Sequence, residues 1–174
     1  MKKVLFIDRD GTLIREPGDF QVDSLEKLEF YPGVFHFLSR IATELDFELV
    51  LVTNQDGLGT DAFPWSKFQP VHDFFLKALR NEGVIFSAEF IDTSLAANPS
   101  PGRKPGTAAL KGYLQGAYDM TRSYVVGDRI TDVMLAKNLG ARAIWMNDGS
   151  GLGGKELTQT PLDLKETIAL ETLS

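Results

Sequence analysis

Asp8 and Asp10 stand two residues apart where an apolar run ends, in Val4-Leu5-Phe6-Ile7-Asp8-Arg9-Asp10-Gly11-Thr12. Two carboxylates so placed can divide nucleophilic and acid–base work between them. In an extended chain, side chains two apart point to the same side, so both acids would face one site. Gly11 lets the backbone turn sharply away afterwards. The plainer reading is a strand that ends in a solvated Asp-Gly turn. This stretch alone supports both readings equally, and the elements around it decide.

The four apolar residues before Asp8 predict a buried strand. Residues 13–32 show no period and hold Pro17, Gly18 and Pro32, so they predict a long loop, a feature often tied to function. Pro32-Gly33 opens a helix in which Val34, Phe35, Leu38, Ile41 and Leu45 keep a 3.6-residue period. A second strand covers 47–52 and runs into Thr53-Asn54-Gln55. A helix over 70–81, starting as early as Ser66, stops at Gly83. A third strand covers 84–91, and a Pro- and Gly-rich loop follows at 93–106 with Arg103 and Lys104 inside it. Residues 107–118 predict a helix weakened by Gly112 and Gly116. Then come a strand at 123–126, Gly127-Asp128-Arg129-Ile130-Thr131-Asp132, a helix to Leu139 and a strand at 143–146.

Strands alternating with helices predict a doubly wound α/β fold, with a mostly parallel sheet and helices on both faces. Asp8, Thr53 and Asp128 each follow a strand, and Lys104 lies in a strand-to-helix loop. Their common address is the carboxyl edge of the sheet, where open α/β sheets collect ligands. No insertion after Asp10 or Thr53 is large enough for a cap domain. Residues 1–147 form the expected domain. Residues 148–174 read as a glycine-rich connector and a tail, with a short helix over 161–173, packing on or near that domain.

At 174 residues the chain suits one domain, and its 43% hydrophobic and 24% charged content is ordinary for a globular protein. A net charge of -6 argues against a nucleic-acid partner. The absence of cysteine excludes disulfides and thiolate metal sites. No apolar run approaches the ~20 residues of a membrane helix. A soluble, cytoplasmic protein is expected, and its oligomeric state is left open.

Asp-x-Asp-Gly-Thr, then Thr53, then Lys104, then Gly-Asp-x-x-x-Asp, all at strand ends, resembles the haloacid dehalogenase (HAD) superfamily of phosphohydrolases over residues 1–147. Within it, Phe6–Ile14, Glu16-Pro17, Phe20-Gln21-Val22-Asp23 and residues 53–60 resemble the histidinol-phosphate phosphatase subfamily. That resemblance implies Asp8 as nucleophile and Asp10 as general acid and base. It implies Thr53 and Lys104 as phosphate-handling groups, and Mg2+ held by Asp8, Asp10 (through its backbone carbonyl) and Asp128. A hard cation suits such an oxygen site. Glu16 and Gln21 are candidate receptors for the ammonium and imidazole of histidinol phosphate, and Asn54 is a further candidate contact. Arg103 is either a second phosphate contact or a surface charge. Asp132 reads as a helix cap or a neighbour of the ligands, and His36 and His72 as structural.

Relatives in that family often hold structural zinc through a Cys/His cluster before Arg-Lys-Pro. The loop at 91–102 has neither residue, so zinc is not expected. Two alternatives stay open: a phosphatase for heptose bisphosphate or another small phosphoester, and a regulatory module that binds phosphate without turnover.

Overall fold

Val4–Ile7 forms β1, and all four residues are buried. The computed structural model describes residues 1–146 and the backbone of residues 167–170. The other strands are β2 (Glu48–Asn54), β3 (Ala88–Asp92), β4 (Tyr124–Gly127), β5 (Arg142–Met146) and β6 (Thr167–Leu170). They make one sheet in the order β3-β2-β1-β4-β5-β6, parallel at every pairing. Among the described residues, three α-helices, α1 (Val34–Glu44), α2 (Trp65–Asn81) and α3 (Ile130–Leu139), connect them, with short 3-10 turns at Leu25–Lys27, Ala108–Leu114 and Met120–Arg122. No helix among the described residues is long and apolar enough to cross a membrane.

Alternate residues of β1 face opposite sides of the sheet, and each side has its own core. Leu5 and Ile7 pack with Val34, Leu38, Val71, Phe75 and Leu79 from α1 and α2. Val4 and Phe6 pack with Leu110, Tyr113, Val133 and Leu139 on the other face. Each such side chain contributes about 1.5–3 kcal/mol by leaving water. Being buried on both faces is why the strand reads as a continuous apolar run. The winding reverses at β1: the chain proceeds to β2 and β3 on one side, then to β4 and β5 on the other. Such a switch opens a crevice at the carboxyl ends of the two central strands.

The elements depart from the sequence expectations in three places, and a range left open is closed in a fourth. Helix α2 starts at Trp65, one residue before the earliest expected start at Ser66, and carries Pro70 inside it. The proline costs about 3 kcal/mol. Phe68, Val71 and Phe75, all buried, outweigh it at about 1.5–3 kcal/mol each. Strand β3 begins at Ala88 rather than 84, because Val84 closes the end of α2 by donating its N–H to the Leu79 carbonyl. The expected helix over 107–118 is a 3-10 turn ending at Leu114, and Gly116 follows at φ +88°. Where a helix was expected over 161–173, residues 167–170 pair with β5 as β6. Thr167 and Ile168 are β-branched and suit a strand. The remainder of that segment and the connector lie outside the described residues.

Candidate active site

Asp8 extends the ladder beyond β1 by donating its N–H to the Val126 carbonyl (2.9 Å). The chain then folds back, as Leu13 and Ile14 N–H both reach the Arg9 carbonyl (2.9 and 3.1 Å). Gly11 has φ +78°, and a Cβ there would lie 2.3 Å from Asp128 Oδ2. A Cβ on Gly127 would lie 2.1 Å from the Asp132 carboxyl carbon. The two glycines therefore let the acids of the β4–α3 turn close on those after β1.

Lys104 Nζ is the counter-charge, 2.5 Å from Asp8 Oδ1 and 2.7 Å from Asp132 Oδ1. Asp8, Asp128 and Asp132 each offer a carboxylate oxygen within 4.8 Å of the others, and all three are buried. One ammonium cannot balance three carboxylates. Burial pushes Asp8 up to about 7, reinforced by Asp132 and Asp10 against the opposite pull of Lys104. Burial likewise pushes Asp128 up to about 9, helped by the neighbouring Asp8 and Asp132. For Lys104 burial acts downward, yet Asp132 and Asp8 together hold it above the usual lysine range. Asp128 Oδ1 is buried with no hydrogen-bond partner among the described residues. An excess of buried carboxylate charge beside an unpartnered oxygen fits a hard divalent cation. Asp132 also caps α3, accepting the Arg129 N–H on Oδ2 at 3.0 Å.

A cavity of about 390 Å³ opens beside these groups, and Asp8, Asp10, Thr53 and Lys104 all line it. Gln55 Nε2 donates to Asp10 Oδ2 (2.5 Å) and to Thr53 Oγ1 (2.8 Å), tying β2 to the acid. Because Thr53 Oγ1 accepts that bond, its own proton remains available to a ligand. Asn54 grips the Lys104 peptide from both sides, accepting its N–H at 3.0 Å and donating to its carbonyl at 3.3 Å. Asn54 also lines the cavity, as does Arg103, whose guanidinium is anchored on Asp56 Oδ1 (2.6 Å) and the Ser94 carbonyl (2.5 Å).

Glu16 lines the cavity too, but its carboxylate holds Arg129 Nη2 at 2.6 Å. Burial raises Glu16 and outweighs the opposing pull of Arg129. Gln21 is not among the lining residues, and its backbone is tied outward to Asp19 and Lys27. The structure therefore brings the sequence-predicted site residues to this cavity except Gln21 and Asp128, and Asp128 stands beside Asp8 without lining the cavity.

Three residues entered no sequence reading of the site. Gln55 holds Asp10, Arg129 pairs with Glu16, and Phe20 lines the mouth with φ +61°. The Arg129 guanidinium lies over the Phe20 ring, 5.6 Å from its centroid. Two signals were present: Gln55 follows Asn54 directly, and Arg129 follows Asp128.

A HAD-hydrolase-like family model matches residues 102–168. The histidine biosynthesis bifunctional protein HisB of Bacteroides fragilis is 54% identical over 153 residues, spanning 87% of this chain and 41% of that protein. HisB of Spirosoma linguale is 46% identical across 99% of this chain and 46% of its own length. The chain thus spans less than half the length of these curated relatives. Among solved structures, the D,D-heptose 1.7-bisphosphate phosphatase from B. bronchiseptica, complexed with magnesium and phosphate, superposes with a TM-score of 0.83 at 27% identity. That match covers 98% of this chain and 93% of the other. A putative HAD-like phosphatase from Mesorhizobium loti matches at TM-score 0.71 and 28% identity, over 84% and 73% of the two chains. In sequence and in fold alike, the chain belongs to the HAD superfamily of hydrolases.

Proposed function

We propose that the chain is a Mg2+-dependent phosphomonoesterase that hydrolyses L-histidinol phosphate to L-histidinol and phosphate. The observation that carries the reading is Asp8, paired with Lys104, beside Asp10 in one cavity at the sheet's switch point. Lys104 occupies Asp8 Oδ1, while among the described residues Oδ2 has only the long 3.5 Å contact from Thr12. Oδ2 is thus the oxygen free to attack phosphorus, forming an aspartyl-phosphate as the ester oxygen leaves. Asp10 gives that oxygen its proton, then takes one from the water that cleaves the aspartyl-phosphate. Thr53 donates its hydroxyl proton to a phosphoryl oxygen, and Lys104 draws in the dianion. Mg2+, held by Asp8, the Asp10 backbone carbonyl and Asp128, would offset the charge of carboxylates and phosphate. A site that only binds phosphate has no use for Asp10, which favours turnover.

Two features support histidinol phosphate. The curated relatives are named for histidine biosynthesis. In the cavity, Glu16 keeps lone pairs for an ammonium beside its bond to Arg129, and Phe20, under the Arg129 guanidinium, adds an aromatic wall for an imidazole. A second reading, a sugar bisphosphate, is favoured by Arg103 and Arg129, either of which suits another phosphate. Phosphate release from histidinol phosphate, heptose bisphosphate and simple alkyl phosphates, with and without Mg2+, separates the two. The highest kcat/KM is expected for histidinol phosphate, only with Mg2+. Preference for the bisphosphate would replace the substrate, and no turnover with any ester would end the enzyme reading.

A further inference from the structure

Arg9 and His72 are buried at 1% and 2% exposure, and no step above uses them. Arg9 sits between the site and α2. Its guanidinium lies 4.6 Å from the centroid of Phe68 and 6.0 Å from that of Phe75. The His72 ring stacks on the same two rings, with centroids 5.0 and 5.9 Å away. Arg9 Nε and Nη2 both donate to Asp10 Oδ1, at 3.3 and 3.2 Å. Its Nη1 lies 3.3 Å from His72 Nδ1, and His72 Nε2 lies 2.9 Å from Glu89 Oε2 on the edge strand β3.

The roles in this chain of bonds follow from donor counting. A guanidinium has donors only, so His72 Nδ1 must accept. The imidazole is then neutral, carries its proton on Nε2 and donates it to Glu89. A single path therefore runs from solvent at Glu89, through His72 and Arg9, to one oxygen of Asp10. Burying a guanidinium costs several kcal/mol that an apolar residue would avoid, so packing alone does not account for Arg9. What Arg9 achieves is asymmetry. Two donors of one cation engage the lone pairs of Asp10 Oδ1 and fix the carboxyl's orientation, which leaves Oδ2 for the leaving group. Among the described residues, the donor to Oδ2 is the neutral amide of Gln55.

We propose that Arg9, seated by His72 and Glu89, is a positioning residue that holds the Asp10 carboxyl so that Oδ2 exchanges the proton with the leaving group. The proposal rests on the phosphomonoesterase reading above. Its consequence is selective: loosening Arg9 should harm esters that need a proton on departure and spare those that do not. The parameter to follow is kcat/KM, because it stops at formation of the aspartyl-phosphate and excludes the water step common to all esters.

The test compares an alkyl phosphate with p-nitrophenyl phosphate, both with Mg2+, in the wild type, His72→Leu and His72→Gln. Leucine keeps the apolar packing and removes the acceptor for Arg9. His72→Leu is expected to lower kcat/KM about tenfold for the alkyl ester and less than about threefold for the aryl ester. Inhibition by inorganic phosphate should stay unchanged. Glutamine, whose amide can accept from Arg9 and donate to Glu89, should restore the alkyl ester to within about threefold of wild type. Equal losses on both esters, or no loss, would overturn the proposal while leaving an active wild type as it stands. If His72→Leu does not fold, Glu89→Ala at the sheet edge decides the matter. A fall of about threefold in the alkyl-to-aryl ratio supports the proposal, and an unchanged ratio refutes it. A wild type inactive on both esters would remove the phosphatase reading first, and this proposal with it.

Discussion

At the scale of single residues, the site is dominated by carboxylates that the fold holds too close together. Asp8→Asn removes the nucleophile while keeping the shape of the side chain, and turnover should fall at least a thousandfold. Activity within about tenfold of wild type would contradict covalent catalysis by Asp8. Asp128 makes a sharper case. In the metal-free protein Asp8 and Asp128 are raised to about 7 and about 9 from an ordinary 3.8. A group raised on folding stabilises fully below its unfolded value, and that contribution is lost as pH rises through the folded value. The melting temperature without metal should therefore decline from pH 5 to pH 9. From pH 7 to 9 the loss attributable to Asp128 is roughly 2–3 kcal/mol, or about 5–10 °C. Asp128→Asn should flatten that decline, melt higher than wild type at pH 9 without metal, and lose most of the stabilisation conferred by Mg2+. Calorimetry across pH with and without Mg2+ checks this, and a variant that still gains from Mg2+ as wild type does would refute it. These acids could be read from the sequence because each marks the end of an apolar run. Arg129 and Gln55 had only their places beside Asp128 and Asn54 to mark them, because they act through partners 113 and 45 positions away, and such pairings leave no periodic trace.

At the scale of elements, the loop bearing Arg103 and Lys104 is organised around one acid. Asp92, the last residue of β3, accepts from the hydroxyls of Ser94 and Ser100 and from the Ser94 N–H (2.9 Å). Ser100 Oγ in turn accepts the N–H groups of Gly102 (3.1 Å) and Arg103 (3.2 Å). Hydroxyls and a carboxylate thus brace a loop that carries neither cysteine nor histidine. Asp92→Ala should weaken phosphate binding about tenfold or more through Lys104, while added zinc or its removal changes nothing. Unaltered kinetics would show that Asn54 alone suffices to hold Lys104. The same scale shows what pattern-reading misses. Pro70 predicts a helix start, yet three buried apolar residues carry α2 past it. Strand β6 is Thr-Ile-Ala-Leu inside a stretch whose apolar residues also suit a helix, and only the open edge of β5 reveals its state. The apolar runs of β1, β2 and β4, each ending at polar or glycine residues, and the periodic helix α1 were legible, because burial dictates them.

At the scale of the whole molecule, the doubly wound architecture was legible from the alternation of elements. Strand order was not, since no local residue says on which side of β1 the chain returns. That order has a consequence for folding. Lys104 meets Asp8 across 96 positions, and Arg129 meets Glu16 across 113. No short segment of the chain contains the site, so it exists only once β1 and β4 are paired. A ligand there is linked to the global unfolding equilibrium rather than to local fraying. Hydrogen exchange should report this directly. Saturating Mg2+ with phosphate should slow the slowest amides of β1, β4 and α3 by a common factor, set by ligand concentration over its dissociation constant. Amides of the exposed turn at residues 24–28 should be indifferent. Protection confined to the cavity's own loops would mean that the two halves of the sheet open independently. Occupancy would then be a local event, whereas the topology makes it a measure of whether the two halves of the sheet have joined.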